Sequence, residues 1–148
     1  MADFFFHKNR WWCDEVAVND LADEYGTPLY VYSRERIAEN FTQVVDAFKP
    51  LQAHIHYSVK ANSSAAILRL LRELGSGFDV VSGGELFRVL RIRADPAQIV
   101  FAGVGKTESE LAYALDQHVG WINVESAQEL DVLDRLAAAR SPSGAKKP

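Results

Sequence analysis

The feature of this chain that most constrains its fold is a fourfold alternation of strand-like and helix-like stretches from residue 55 onward. "IHYSV" (55–59) precedes "SSAAILRLLREL" (63–74), whose Ile67, Leu68, Leu70, Leu71 and Leu74 fall on one helical face. Gly75 follows where a left-handed helix stop is wanted. "FDVV" (78–81) leads to "GGELFRVLR" (83–91), "IVFAG" (99–103) to "TESELAYALDQ" (107–117), and "WINVE" (121–125) to "AQELDVLDRLAAA" (127–139). Three of these helices open on one punctuation, Ser82-x-x-Glu85, Thr107-x-x-Glu110 and Ser126-x-x-Glu129. Each fits a capping box, in which hydroxyl and carboxylate satisfy orphan amides at the helix start. Consecutive strand–helix units predict a parallel sheet, because parallel neighbours need a crossover. The connections are short, as compact α/β packing requires.

The first 50 residues read differently. Asn19 or Asp20 can cap a short helix ending near Tyr25 and Gly26. "TPLYVY" (27–32) predicts a strand with Pro28 at its start. Ser33 opens an amphipathic helix carrying Ile37, Phe41, Val44, Val45 and Phe48, stopped by Pro50. "RSPSGAKKP" (140–148) reads as a loop or disordered tail.

Composition narrows the function classes. A formal net charge of −4 argues against a nucleic-acid or anionic-membrane partner. No apolar run approaches the roughly 18 residues of a transmembrane helix, and "MADFFFHKNRWW" offers only three consecutive apolar residues before His7 and Lys8, too few for a signal peptide. The one cysteine, Cys13, excludes an intramolecular disulfide and argues against a zinc site, so the cytoplasm is the expected compartment.

The chemistry-bearing stretch is "HIHYSVKAN" (54–62). Strand parity sends Ile55, Tyr57, Val59 and Ala61 one way and His54, His56, Ser58, Lys60 and Asn62 the other. In a β/α barrel the first set would face the helices and the second the interior, with Lys60 at the C-terminal end of its strand, where such barrels build active sites. A lysine buried there has its charge disfavoured and its amine made nucleophilic, as carbonyl chemistry requires. The competing reading is an edge-strand lysine facing water.

These residues resemble the fold-type III pyridoxal-phosphate decarboxylases. "YSVKAN" is similar to the family's lysine motif, usually YAVKAN, with Ser58 in place of the usual alanine. "GSGFDVVSGGEL" (75–86), "IVFAGVGKT" and "INVESAQEL" continue the pattern in order, and "YGTPLYVYS" with the SGGE wording points to the diaminopimelate decarboxylase branch rather than the ornithine or arginine branch. The resemblance runs from about residue 4 to 139 and covers nearly the whole chain.

The resemblance implies an α/β fold: the first half of a TIM-type β/α barrel, about four βα units, preceded by an N-terminal segment with a strand belonging to the family's β-domain. The implied division is 1–32 for that segment, 33–139 for the partial barrel and 140–148 for the tail. Lys60 would be the catalytic lysine that carries pyridoxal 5'-phosphate covalently. Asp79, 19 residues on and in the next strand, matches the family's acidic residue beside the lysine and cofactor; a turn-capping aspartate is the competing account. Glu85 matches a position in the active-site network, although helix capping explains it equally well. The implied reaction is decarboxylation of meso-2,6-diaminopimelate to L-lysine, by a homodimeric enzyme acting on a small-molecule amino acid. A racemase of similar barrel architecture fits the motifs around the lysine less well. The family's cofactor-stacking histidine comes from a later strand, so His54 and His56 read as polar core residues, His7 and His118 as surface residues, and Asn62 as a local hydrogen-bonding residue.

"GVGKT" (103–107) mimics the end of a P-loop, but the first glycine of G-x-x-x-x-G-K-[ST] would belong at position 100, which is Val100. The family's glycine-rich phosphate loop, the acid opposite the pyridine nitrogen and the C-terminal β-domain have no counterpart in the sequence. The expectation is little or no turnover by this chain alone. The alternative is a non-catalytic interaction module, or a truncated fragment, pairing with itself or a full-length relative.

Overall fold

Two left-handed residues, Lys8 (φ 49°) and Asn9 (φ 60°), turn the N-terminal aromatic run back on itself. They join β1 (Phe4–His7) to β2 (Arg10–Cys13), with Phe4 opposite Cys13 and His7 opposite Arg10. Left-handed residues at both turn positions suit the twist of a tight hairpin. A second turn, with Asp14 at φ 50°, adds β3 (Val16–Ala17) antiparallel to β2. Phe6 meets Trp11 edge-on at 5.6 Å between ring centroids, and Phe5 stacks on Trp12 at 6.4 Å. The structure is a computed structural model that describes residues 4–140. The expected tail lies, from residue 141 on, outside the described residues. The described residues divide into two units with the boundary after Ala53.

In the first unit α1 (Val18–Tyr25) emerges directly from β3, with Ala17 at its N-cap and no side-chain cap. The expected capping role of Asn19 or Asp20 is therefore not realised; Asp20 pairs with Arg10 instead. The expected strand at 27–32 is absent: this stretch has no strand partner among the described residues, and Tyr30 and Tyr32 are exposed. Apolar and β-branched residues favour a strand only where a neighbouring edge supplies hydrogen bonds. Among the described residues, the strands of this unit lie upstream, at 4–17. Ser33 caps α2 (Arg34–Phe48) as expected, accepting from the Arg36 amide at 2.9 Å. Asp14 joins the cap, its carboxylate accepting from the Ser33 hydroxyl and, at 2.9 Å, from the Arg34 amide.

The second unit is the parallel α/β layer that the alternation predicts. β4 (His56–Ser58), β5 (Gly77–Val80), β6 (Ile99–Phe101) and β7 (Trp121–Ile122) lie side by side in chain order. They alternate with α3 (Ala65–Glu73), α4 (Gly83–Arg91), α5 (Glu108–Asp116) and α6 (Ala127–Arg140). Parity divides the sheet, and the expectation made for the first strand extends to its neighbours. Phe78, Val80, Ile99 and Phe101 are completely or almost completely buried, together with Leu68, Leu86, Val89 and Leu111 from the helices. The opposite face carries His56 and Ser58 on β4, Asp79 on β5 and Val100 on β6. Gly75 (φ 91°) stops α3 in the left-handed conformation, the Ser76 amide donating to the Leu71 carbonyl at 3.0 Å. No helix among the described residues is long and apolar enough to cross a membrane.

Candidate functional site

Lys60 does not continue the strand. Pairing on β4 ends with Ser58 opposite Asp79, and Val59 then turns fully into the core, opening a 3₁₀ turn over Val59–Ala61. Val59 keeps its expected parity, and the turn that begins with it takes Lys60 off the strand, so the lysine expected to be buried is exposed. The turn is closed locally. The Tyr57 hydroxyl donates to the Asn62 carbonyl at 3.1 Å, and Asn62 Oδ1 accepts from the Ser64 amide at 2.9 Å, the local role anticipated for Asn62. Lys60 makes no hydrogen bond or ion pair among the described residues. Its position, immediately after the strand, is the C-terminal edge where parallel α/β sheets place their chemistry.

Asp79 is half-buried on the neighbouring strand, and its Oδ2 accepts from the Ser58 hydroxyl at 3.1 Å. The bond crosses the sheet between two residues that the register sets opposite one another on one face. Glu85, in the first turn of α4, accepts from the Val81 amide at 2.9 Å. Its own amide donates to the Ser82 hydroxyl at 3.2 Å. Lys60, Asp79 and Glu85 thus come from two consecutive βα units, with no hydrogen bond linking Lys60 to either carboxylate among the described residues.

Of the three expected capping boxes, one closes in both directions. The Thr107 hydroxyl accepts from the Glu110 amide, and Glu110 accepts from the Thr107 amide at 3.0 Å. The other two are half-formed, because each glutamate has a stronger claim elsewhere: Glu85 on the Val81 amide and Glu129 on Lys106. Glu110 does additional duty, its second oxygen accepting from the Gly83 amide at 2.7 Å and so joining the starts of α4 and α5. The Gly83 and Thr107 amides hold its carboxyl below the usual glutamate range.

The residue that sequence reasoning missed is Lys106. Set aside with the failed P-loop pattern, it is buried and spends all three ammonium hydrogens. It donates to the Gly103 carbonyl at 2.7 Å, the Asn123 carbonyl at 2.7 Å and Glu129 Oε1 at 2.8 Å. It braces the β6–α5 and β7–α6 connections at the same edge as Lys60. His54 and His56 lie at the opposite end of the sheet's polar face, lining a cavity of about 590 Å³ with Gln98, Val100, Trp121 and Asn123. The buried Nδ1 of His56 has no hydrogen-bond partner among the described residues. His7 and His118 are exposed, as expected.

An accessible primary amine without an ion partner, following a strand whose neighbour carries a half-buried carboxylate, suits an aldehyde-bearing cofactor. Comparison with known proteins agrees with that chemistry. Residues 34–143 match the family model described as the pyridoxal binding domain of pyridoxal-dependent decarboxylases. A diaminopimelate decarboxylase of Neisseria meningitidis is 45% identical over 126 residues, which are 85% of this chain and 31% of that protein. One from Aquifex aeolicus is 50% identical over 122 residues, 82% of this chain and 29% of that protein. The crystal structure of diaminopimelate decarboxylase from M. jannaschii in complex with L-lysine superposes with a TM-score of 0.88 at 35% identity, covering 93% of this chain and 33% of that one. The chain spans about a third of the length of the curated relatives it matches.

Proposed function

The chain belongs to the pyridoxal-dependent decarboxylase family, and from that premise we propose that it forms the Lys60-bearing half of a pyridoxal 5'-phosphate site of a diaminopimelate decarboxylase. The observation that carries the reading is the placement of Lys60: an exposed amine at the C-terminal edge of a parallel sheet, one strand from a hydrogen-bonded carboxylate. Residues 1–32 are assigned to the β-domain and 33–139 to the barrel, an assignment supported by the start of the family match at residue 34. The substrate is meso-2,6-diaminopimelate, by analogy with the names of the relatives, and the product is L-lysine. The acting unit is a cytoplasmic homodimer.

Lys60 supplies the amine through which the cofactor is held. Asp79, oriented by Ser58, provides negative charge next to that amine and to the ring it would carry. Glu85 fixes the turn between β5 and α4 through the Val81 amide, with its second oxygen available to the same network. When bound, pyridoxal phosphate supplies an electron sink for the pair left behind as carbon dioxide departs from the α-carbon.

The test is covalent trapping. The chain is mixed with pyridoxal phosphate, reduced with borohydride and mapped by mass spectrometry, with Lys60→Ala and a full-length relative in parallel. Selective labelling at Lys60 supports the reading. Labelling scattered over other lysines, or none, with the relative labelled normally, sinks it for this chain.

A further inference from the structure

Two sets stand out among the ten arginines of this chain. Arg10, Arg36, Arg72, Arg135 and Arg140 each meet a carboxylate: Asp20, Glu39, Glu73, Glu108 and Asp116 respectively. Arg69, Arg88, Arg91 and Arg93 meet none among the described residues, and the first three line one depression of about 410 Å³ between α3 and α4. The lining is completed by Ser63, Ala65, Phe87 and Ile92. Three unpaired guanidinium groups around one concavity repel each other, and they do so on a chain whose net charge is −4. The helix dipole accounts for Arg88 and Arg91, which stand in the last turn of α4. It does not account for Arg69, which stands in the middle of α3 and faces the same depression.

The floor is also built for planar cations. Phe87 is 54% exposed despite its size, and the Arg91 guanidinium lies over its ring at 5.9 Å. Stacking on an aromatic face leaves the hydrogen-bonding edge of the fork free, the arrangement in which arginine grips phosphate oxygens in pairs. One orthophosphate would leave at least one of the three forks unused. A linear oligophosphate places several negative charges within the span of such a concavity, whose size is that of a small-molecule site. An acidic peptide would need an open strand edge or a row of apolar pockets, and this depression has one aromatic ring.

We propose that the α3–α4 groove is an anion site for an oligophosphate chain, free or carried by a nucleotide, held by Arg69, Arg88 and Arg91. The site lies on the outer surface of the helices and is independent of the Lys60 reading.

Calorimetric titration of the full chain with sodium tripolyphosphate tests it, with orthophosphate, ATP and a short polyglutamate peptide as comparison ligands. The expected result is one saturable site for tripolyphosphate, weaker at high salt, with orthophosphate at least about tenfold weaker because fewer forks are engaged. Arg69→Gln and Arg88→Gln each weaken binding by about tenfold or more, and Arg69→Lys, which keeps the charge but not the fork, weakens it measurably. Arg135→Gln, on a paired exposed arginine, leaves it unchanged. These side chains are exposed, and circular dichroism confirms that each variant is folded. ATP binding equal to tripolyphosphate assigns recognition to the phosphate chain, whereas tighter ATP binding that is lost in Phe87→Ala adds the ring as a base platform. Absence of saturable binding, binding indifferent to the Arg69 and Arg88 variants, or binding of polyglutamate in place of tripolyphosphate overturns the proposal.

Discussion

Lys106 and Glu129 meet at 2.8 Å with side chains only 1% and 7% exposed, 23 residues apart in sequence. An ion pair at that depth loses hydration on both sides, and it persists because the remaining lysine hydrogens are taken up by the Gly103 and Asn123 carbonyls. Removing one partner leaves a buried charge without its counterion. Lys106→Met is expected to cost about 3–5 kcal/mol in urea unfolding, and Glu129→Gln a large part of that. The double variant Lys106→Met with Glu129→Leu restores a substantial fraction, since it buries no charge. Equal losses in single and double variants would show that the two carbonyl contacts, and not the pair, carry the stability.

Glu110 makes stability depend on pH with a definite sign. Its carboxyl is held below its ordinary value of 4.5, first by the Gly83 amide and then by the Thr107 amide. A depressed carboxyl pKa means that the unfolded state binds the proton more readily. The contribution is therefore fully present above the ordinary value and disappears as pH falls through the folded-state value. The difference in thermal midpoint between the parent and Glu110→Gln is expected to be constant near neutrality and to shrink at acid pH. A difference that persists unchanged in acid would mean that the glutamine has lost packing rather than charge.

Gly120 tests a steric constraint that has nothing to do with flexibility. A Cβ added there would lie 2.2 Å from the Ala97 carbonyl oxygen, which is backbone and cannot rotate away. The Gly120 amide meanwhile donates to the Pro96 carbonyl at 2.9 Å, anchoring the entry to β7. Gly120→Ala is expected to cost about 1–3 kcal/mol in chemical denaturation, through forced displacement of one connection against the other. At Gly105, where no atom lies within 4 Å of an added Cβ, the left-handed φ of 69° alone sets the cost of alanine, and a smaller loss is expected.

Much of this architecture is legible in the sequence, and the exceptions share a cause. The parity of Phe78 and Val80 against Asp79, and the stop at Gly75, are local rules of backbone geometry, so pattern and structure agree. Lys60 stands just after β4, and its exposure comes from the 3₁₀ turn over Val59–Ala61 that ends the strand, a break that strand parity does not encode. The role of Lys106 depends on Asn123 and Glu129, 17 and 23 residues away, contacts that no periodicity encodes. Glu129 shows the same limit from the other side: its spacing from Ser126 predicts a reciprocal cap, and a buried ammonium group claims its carboxylate instead. The strand expected at 27–32 has the right residues but no partner edge among those described. Strand propensity, unlike helix capping, cannot be satisfied by the segment itself.

Ser58 and Asp79 offer a test of the proposed site that does not require turnover. They stand opposite one another in the β4–β5 register, joined by a hydrogen bond of 3.1 Å, and Ser58 occupies the place where the resemblance leads one to expect alanine. A hydroxyl donating to a carboxylate fixes the rotamer of the acid. A double-mutant cycle of Ser58→Ala and Asp79→Asn is expected to give a coupling of about 0.5–1.5 kcal/mol in unfolding free energy. If Asp79 acts on the lysine through its orientation, Ser58→Ala also slows pyridoxal phosphate trapping at Lys60, less than Asp79→Ala does and without changing the labelled residue. Slower trapping in Asp79→Ala with no effect of Ser58→Ala would place the importance of Asp79 in its charge alone. Unchanged trapping in both would remove Asp79 from the site and leave the hydrogen bond as a brace between two strands.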